Sequence, residues 1–484
     1  VRHSRVTPQA PGADPADFLR HVLGDWHEDD LVAVAEAKRV WEMLLADAGL
    51  RAEPPATRQH AAGFAPFYNV LVDGAAWSDI DLARWPEVEL FLAWREQLQQ
   101  HRGLLRRYPD AVCTNPRFAA WRAREMARAA SELGGRDAAL AHPVVAYELS
   151  SGCTLGCWFC GIGAETFRGH AAYASHGPLW RETVAAVADA LGPAARTGVC
   201  FGATDPFDNP DYDRFIRDHH EITGALPSTT TAAPLRDLAM TRALLDRSLR
   251  DGPVLNRFSI LTARVMAGVL AAFTPRELLL VDLIPQMPGS LLPKADAGRA
   301  RTGSGGRRPA SAMVDSGAAT IACVSGFLIN LPERRIRLVS PCRASDTWPL
   351  GYRVYADSAF TDGADLTEVI ASMIERFMPV EVPLNERMRL RSDLQLVKRG
   401  AAIRLHNAVT AHDVSGHDFI PALTGMLVAG DRSLGEVAGH MAAGGAPYFD
   451  VLRLLQRLYD AALLDPVSLP GADHSHAERS TRWN

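Results

Sequence analysis

Three cysteines at the spacing C-x3-C-x2-C constrain this chain more than any other feature in it. They are Cys153, Cys157 and Cys160, within Tyr147-Glu148-Leu149-Ser150-Ser151-Gly152-Cys153-Thr154-Leu155-Gly156-Cys157-Trp158-Phe159-Cys160-Gly161. They follow an apolar run, Val144 to Leu149, that reads as a strand. Three neighbouring thiols cannot all pair as disulfides, because one is left over. Soft thiolates crowded on one loop suit a soft metal or an iron–sulfur cluster. A structural zinc wants a fourth Cys or His at a suitable spacing, and the next His is His170, past a Gly-containing bend. Three ligands on a 4Fe–4S cluster leave one iron open for chemistry. Zinc, or an inert trio of core thiols, are the other readings of the triplet.

A chain of 484 residues is too long for one ordinary core, so two or three domains are expected. With 47% hydrophobic and 22% charged residues it reads as soluble and globular. A formal net charge of −5 gives no electrostatic case for nucleic acid or an anionic membrane as partner. Val1 to Asp14 is polar, with no apolar signal core. The most apolar patches, such as Leu278 to Ile284, are short and carry Asp282, so no transmembrane span fits. Seven cysteines without a leader point to the reducing cytoplasm.

Residues 1–142 read as a mostly helical region. Asp14-Pro15 opens one helix, Asp30 is the expected cap of a second, and Val88–Leu98 and Phe118–Leu133 are further helices with Trp94 and Trp121 as core anchors. From Pro143 strands alternate with helices. The expected strands are Val144–Leu149, Gly198–Phe201, Thr229–Thr231, Phe258–Leu261, Leu278–Ile284 and Phe327–Leu331. The expected helices among them are Glu182–Leu191, Leu235–Leu249 and Leu366–Met378. That rhythm implies an α/β fold of parallel strands with helical crossovers, whose chemistry sits at the carboxyl ends of the strands. Residues 286–316 interrupt it with a basic, Gly-rich insertion, Gly303 to Pro309, read as a solvated loop or as a lid. Residues 379–466 read as a separate small α+β domain. It has a hairpin across Arg399-Gly400 and three helices, one opened by the capping box of Ser433 and Glu436. Residues 467–484 read as a disordered tail.

The cysteine loop resembles the signature of the radical S-adenosylmethionine (SAM) enzymes, which place an aromatic residue, here Phe159, before the last cysteine. The resemblance implies a partial (β/α)6 barrel over residues 143–378 and one 4Fe–4S cluster on Cys153, Cys157 and Cys160. It implies SAM as co-substrate, chelated at the open iron and cleaved by one electron from an external donor to a 5′-deoxyadenosyl radical. Phe159 would then pack near the adenine. Gly202-Ala203-Thr204-Asp205-Pro206 stands where such enzymes carry a Gly-Gly-Glu-Pro-like motif for the SAM ammonium, with the glycine pair altered and the acid an Asp. A plain Asp-Pro strand-end turn is the other reading of Asp205. Arg264 is offered for a carboxylate.

Within that superfamily the chain looks most like the radical-SAM epimerases that install D-residues in proteusin-type ribosomal peptides. The likeness rests on the cysteine loop, on Phe201–Tyr212 and on Ser340-Pro341-Cys342-Arg343. It implies abstraction of an α-hydrogen from an L-residue, then hydrogen delivery from the opposite face by a protonated thiol, for which Cys342 is the candidate. Cys113, Cys200 and Cys323 read as buried small hydrophobes, and the lack of a compact run of cysteines after Cys342 argues against an auxiliary cluster. Residues 379–466 resemble the winged-helix leader-binding element of peptide maturases, so the expected partner is a precursor peptide with leader and core. The alternatives are thioether or carbon–carbon crosslinking of a peptide, a small-molecule radical-SAM reaction, or a non-catalytic cluster or zinc protein that binds a peptide.

Overall fold

A computed structural model describes residues 12–54, 61–303, 314–315 and 320–469. Most of the basic insertion and nearly all of the expected tail lie outside them.

The chain opens on helices. α1 (Pro15–Asp25) starts where the Asp14 carboxylate accepts the Ala16 N–H at 2.8 Å and Pro15 occupies the first turn, where its missing N–H costs nothing. α2 (Glu28–Ala46) begins earlier than the expected cap: His27 is the N-cap, and Asp30 lies in the first turn, where its charge meets the positive end of the helix. After α3 (Ala48–Ala52) and α4 (Ala61–Leu71) come α5 (Pro86–Val112) and α6 (Pro116–Leu133), with Trp94 and Trp121 buried as expected.

Strands and helices then alternate: β1 (Val145–Glu148), β2 (Ser150–Ser151), β3 (Gly169–His170), α7 (Tyr173–Leu191), α8 (Tyr212–Thr223), β4 (Thr230–Thr231), α9 (Leu238–Arg250), β5 (Asn256–Ile260), α10 (Ala263–Ala272) and β6 (Val281–Pro285). The short β7 (Lys294–Ala295), α11 (Gly298–Thr302) and β8 (Val314–Asp315) lead to β9 (Gly326–Asn330), β10 (Arg335–Pro341), β11 (Tyr352–Ala359) and α12 (Gly363–Phe377). α7 starts at Tyr173 rather than Glu182. β6 starts only at Val281, after a buried turn.

β4, β5 and β6 pair in parallel, and β1 pairs in parallel with β9. The two groups are joined at Val199, which bridges Ala146 on one side and Ser228 on the other. The strand expected over Gly198–Phe201 is therefore reduced to that bridge, because the chain leaves the ladder at Cys200 to bring Gly202 against Glu148. The spatial order is thus not the sequence order: the last parallel strand, β9, lies beside the first. β10 and β11 extend the sheet antiparallel from it. One face carries Tyr147, packed on Trp180 of α7 at 4.9 Å between ring centroids. The other carries Glu148. The N-terminal region docks on the β6 edge, where Lys38 of α2 donates to the Val281 carbonyl and Glu42 accepts the Leu283 N–H at 2.8 Å.

Past α12 the chain forms β12 (Met388–Leu390), the meander β13 (Gln395–Arg399), β14 (Ala402–His406) and β15 (Ala411–Val414), then α13 (Ile420–Ala429), α14 (Leu434–Ala443), α15 (Tyr448–Asp460) and β16 (Leu464–Pro466), which pairs with β12. The hairpin turns at Arg399-Gly400, and Ser433 with Glu436 closes the capping box. Val382 to Leu464 contribute their own apolar core. This unit is tied to the sheet by a buried ionic knot. Asp465 pairs with Arg128 of α6 at 2.5 Å and with Arg353 of β11 at 3.1 Å, and Glu132 of α6 pairs with Arg353 at 3.1 Å.

Candidate functional site

The cysteine loop leaves the carboxyl end of β1 and doubles back. β2 pairs with β3, the Cys153 N–H donates to the Glu165 carbonyl at 2.9 Å, and the Arg168 N–H donates to the Ser151 carbonyl at 2.9 Å. Gly152 has φ +72°, and a Cβ there would stand 2.3 Å from the Thr166 carbonyl oxygen, so the stem admits only glycine. Cys153, Cys157 and Cys160 are free thiols of intermediate exposure. Burial pushes the Cys153 thiol up to about 12 and the Cys157 thiol up to about 11, the latter also raised by Cys160 and lowered by Arg299. The Ala164 N–H donates to Cys160 Sγ at 3.3 Å. Among the described residues no three His, Cys, Asp or Glu side chains converge tightly enough to hold a single metal ion. In donor chemistry the loop fits an iron–sulfur group: its donors are all sulfur, and one already accepts a backbone N–H, the contact that tunes such clusters.

Two tethers hold the loop. Arg299 of α11 is the first. Its N–H donates to the Cys160 carbonyl at 2.9 Å, and its guanidinium reaches the carbonyls of Cys157, at 3.2 Å, and Ala164. Gly298 before it has φ +53°, and a Cβ there would lie 2.4 Å from the Cys160 and Gly161 carbonyl oxygens. The second is Asp208, which accepts the Thr154 N–H at 3.0 Å and the Thr154 hydroxyl at 2.6 Å, and pairs with Arg236. Residues 286–300 thus pack against the loop, while the Gly303–Pro309 stretch read as a solvated loop or lid lies, but for Gly303, outside the described residues. Arg299 lies there with no periodicity to mark it.

The Gly202–Pro206 stretch follows the Val199 bridge. The Asp205 carboxylate caps the turn by accepting the Phe207 N–H at 2.9 Å. It also takes the Thr231 hydroxyl and the Ala232 N–H, each at 2.7 Å. Burial raises its pKa and those three bonds pull it back. Its side chain is thus spent on the strand-end turn. Ala203 donates its N–H to Glu148 Oε1, and Thr204 is buried beside it. Glu148, which the sequence did not single out, is 4% exposed, takes the Asn330 amide at 3.0 Å on its other oxygen, and has its pKa raised by burial. Asn209 ties this stretch back to β1 and β3 by donating to the Leu149 and Ala171 carbonyls at 3.1 and 2.9 Å.

Cys342 follows β10, and its N–H donates to the Gly351 carbonyl at 3.0 Å, in the turn whose Pro349 carbonyl accepts the Gly298 N–H at 2.7 Å. β10 runs antiparallel to β9, and the residue just past it, Cys342, lies beyond the amino end of β9, where Gly326 pairs with Val339. Arg337 acts on Glu148 across one face of the sheet. The pairing of β10 with β11 shifts register between Leu338 and Val339, before Cys342, whose thiol stands near Glu125, Arg128 and Glu132 of α6. The thiol is buried, which raises its pKa, with Glu132 adding to the rise and Arg353 and Arg128 opposing it. It lines a cleft of about 440 Å³ shared with Trp348, Arg353, Asn407 and Asp465, where the sheet meets the C-terminal unit. Arg264 is exposed in the first turn of α10. Cys200 is buried as expected, whereas Cys113 and Cys323 are only half-buried, the latter beside Arg257 of β5.

No known family model matches the chain. It is 38% identical over 469 residues to the uncharacterized protein y4wI of Sinorhizobium fredii (strain NBRC 101917 / NGR234), an alignment that covers 93% of this chain and 90% of that one. The solved structure of BtrN in complex with AdoMet and 2-DOIA matches over 40% of this chain and 72% of that chain, at 14% identity and a TM-score of 0.29. A likeness that distant carries no argument.

Proposed function

The chain belongs to the family of the rhizobial protein y4wI, and for this member we propose a radical-SAM enzyme that acts on a peptide, with one 4Fe–4S cluster on Cys153, Cys157 and Cys160. The observation that carries the reading is the loop: three free thiols at the carboxyl end of β1, tied down by Arg299 on one side and by Asp208 with Arg236 on the other. When bound, the cluster supplies the electron that splits the carbon–sulfur bond of SAM. The chain's own residues do the rest. Arg299 and Asp208 keep the three sulfurs on a short tether. Phe159 flanks the co-substrate, and the backbone of Ala203 and Thr204, rather than the Asp205 carboxylate, meets its ammonium. Arg264, exposed near the carboxyl end of β5, is the proposed contact for a carboxylate. Anaerobic reconstitution tests this directly: about four irons per chain and SAM cleavage are expected, with both lost in the Cys153→Ala, Cys157→Ala and Cys160→Ala variants. Iron without SAM cleavage sinks the catalytic reading in favour of a cluster protein that only binds.

For the reaction we carry epimerisation of a ribosomal precursor peptide, with an external electron donor, and with residues 379–466 holding the leader. The exposed Val397 of β13 gives the leader an apolar contact. The proposed donor thiol is Cys342, supported by the cleft that it lines. Its burial puts a definite demand on this role: the loop after β10 must open for the thiol to meet substrate. A reaction in deuterium oxide decides it. Deuterium in D-residues, lost in Cys342→Ala and kept in Cys323→Ala, supports the assignment. The reverse pattern moves the donor to Cys323. A peptide that loses mass points to crosslinking.

A further inference from the structure

Lysine is nearly absent from this chain. Of 51 basic residues only Lys38, Lys294 and Lys398 are lysine, and all the others are arginine. The three lysines are treated differently. Lys398 is exposed on β13. Lys38 is buried with its charge answered by Glu42 at 2.7 Å. Lys294 is equally buried, at 6% exposure, yet among the described residues no carboxylate stands within ion-pair reach of it. Its Nζ donates to the Leu292 carbonyl at 3.1 Å and stands 5.5 Å from the ring centroid of Phe159, inside the cysteine loop.

A buried ammonium with one carbonyl and one ring for company is an expensive arrangement. Taking an ion out of water is costly, and one carbonyl dipole offsets only part of that cost. A cation beside a ring recovers only part of it. The void beside Lys294, lined by Trp158, Gln286, Met287 and Ser290, measures about 10 Å³. That is room for a single water, so no small anion can settle there. Among the described residues, the neighbour that can bring in negative charge is the cysteine loop itself.

We propose that Lys294 is a positioning residue whose counter-charge is the anion held on the cysteine loop. This rests on reading that loop as a cluster site. Loading the loop puts negative charge next to Phe159 from one of two sources: the thiolate-bound cluster or the carboxylate of its co-substrate. A buried cation there stabilises the more negative state of either.

The test compares the full-length wild type with Lys294→Met and Lys294→Arg after anaerobic reconstitution, with thermal unfolding as the folding control. Iron content, the cluster midpoint potential without SAM, and SAM affinity are read separately. If the charge answers the cluster, the methionine variant binds the same iron with its reduction equilibrium weakened at least tenfold, about 59 mV for a one-electron couple. If it answers the carboxylate, the potential stays and SAM binding weakens at least tenfold. In either case the arginine variant recovers part of the loss. Unchanged potential and unchanged SAM affinity in a folded, iron-loaded methionine variant overturn the proposal. A wild type that takes up no iron overturns the cluster reading beneath it before any variant is compared.

Discussion

Gly202 has no room for a side chain because of Glu148: a Cβ on Gly202 would lie 2.4 Å from Glu148 Oε1. The carboxylate at the end of β1 and the turn after the Val199 bridge are therefore fitted to one another. Glu148 also holds Ala203 by its N–H and Asn330 of β9 by its amide, so one buried acid joins three neighbouring segments of the sheet.

Gly202→Ala should destabilise the fold by about 1–3 kcal/mol, the usual range for overfilling a packed site. Adding Glu148→Ala should recover part of that, because the two residues touch and their effects cannot add. Urea unfolding of the two single variants and the double variant measures the coupling. Strict additivity would count against the contact.

Asp208→Ala removes the carboxylate that holds Thr154 and pairs with Arg236, leaving Arg236 only the Phe207 carbonyl and the Thr154 hydroxyl. The cysteine loop should loosen at one end while Arg299 still holds the other. The expected result is faster reaction of the loop thiols with a thiol reagent and less iron retained after reconstitution, with global stability lowered by about 1.5–3 kcal/mol. Unaltered thiol reactivity would show that Arg299 suffices.

Asp465 should report the docking of the C-terminal unit. Burial pulls its pKa up, but Arg128, Arg353 and Arg391 outweigh burial and bring it down to about 2, from 3.8. A folded value below the unfolded one means that its contribution is present above pH 3.8 and is lost as pH falls through about 2. Asp465→Asn should cost roughly 3–5 kcal/mol at neutral pH, since it leaves buried guanidiniums short of a counter-charge. It should also remove that acid-side loss. Limited proteolysis should then release the C-terminal unit first.

His219 sets a second, milder pH dependence. Burial pushes its pKa down to about 4, against 6.5, and its Nδ1–H donates to the Ala225 carbonyl at 2.8 Å. The native state keeps the ring neutral while the unfolded chain takes a proton. Stability is therefore full above pH 6.5 and falls by about 3 kcal/mol toward pH 4. His219→Asn keeps a donor near the same place and does not titrate, so its unfolding midpoint should vary less between pH 7.5 and 5. His101, likewise pushed down to about 4 by burial, keeps the slope from vanishing.

Much of the local structure was legible because its causes are local. The strand before the cysteines, the Asp14-Pro15 helix start, the turn at Arg399-Gly400 and the Ser433–Glu436 capping box each depend on residues within a few positions of one another. The same holds for Asp205, whose reading as a strand-end turn describes where its carboxylate goes. The spacing of Cys153, Cys157 and Cys160 also sets, without any fold, that three thiols share one loop.

What the tertiary structure decided is long-range. β9 pairs with β1 across nearly two hundred residues, and nothing in either strand's pattern names its partner, since parallel buried strands look alike. Arg299 reaches the cysteine loop from a stretch without periodicity, and Glu148 became a site residue only once Gly202 was laid against it. Cys342 is the sharpest case. Its sequence context marks it for chemistry, but what surrounds its thiol follows from how α6 and β11 pack beside the end of β10. That packing sets Glu132, Arg128 and Arg353 beside it. Composition and spacing identify the groups a chain owns, whereas the register of distant strands decides which of them share a space.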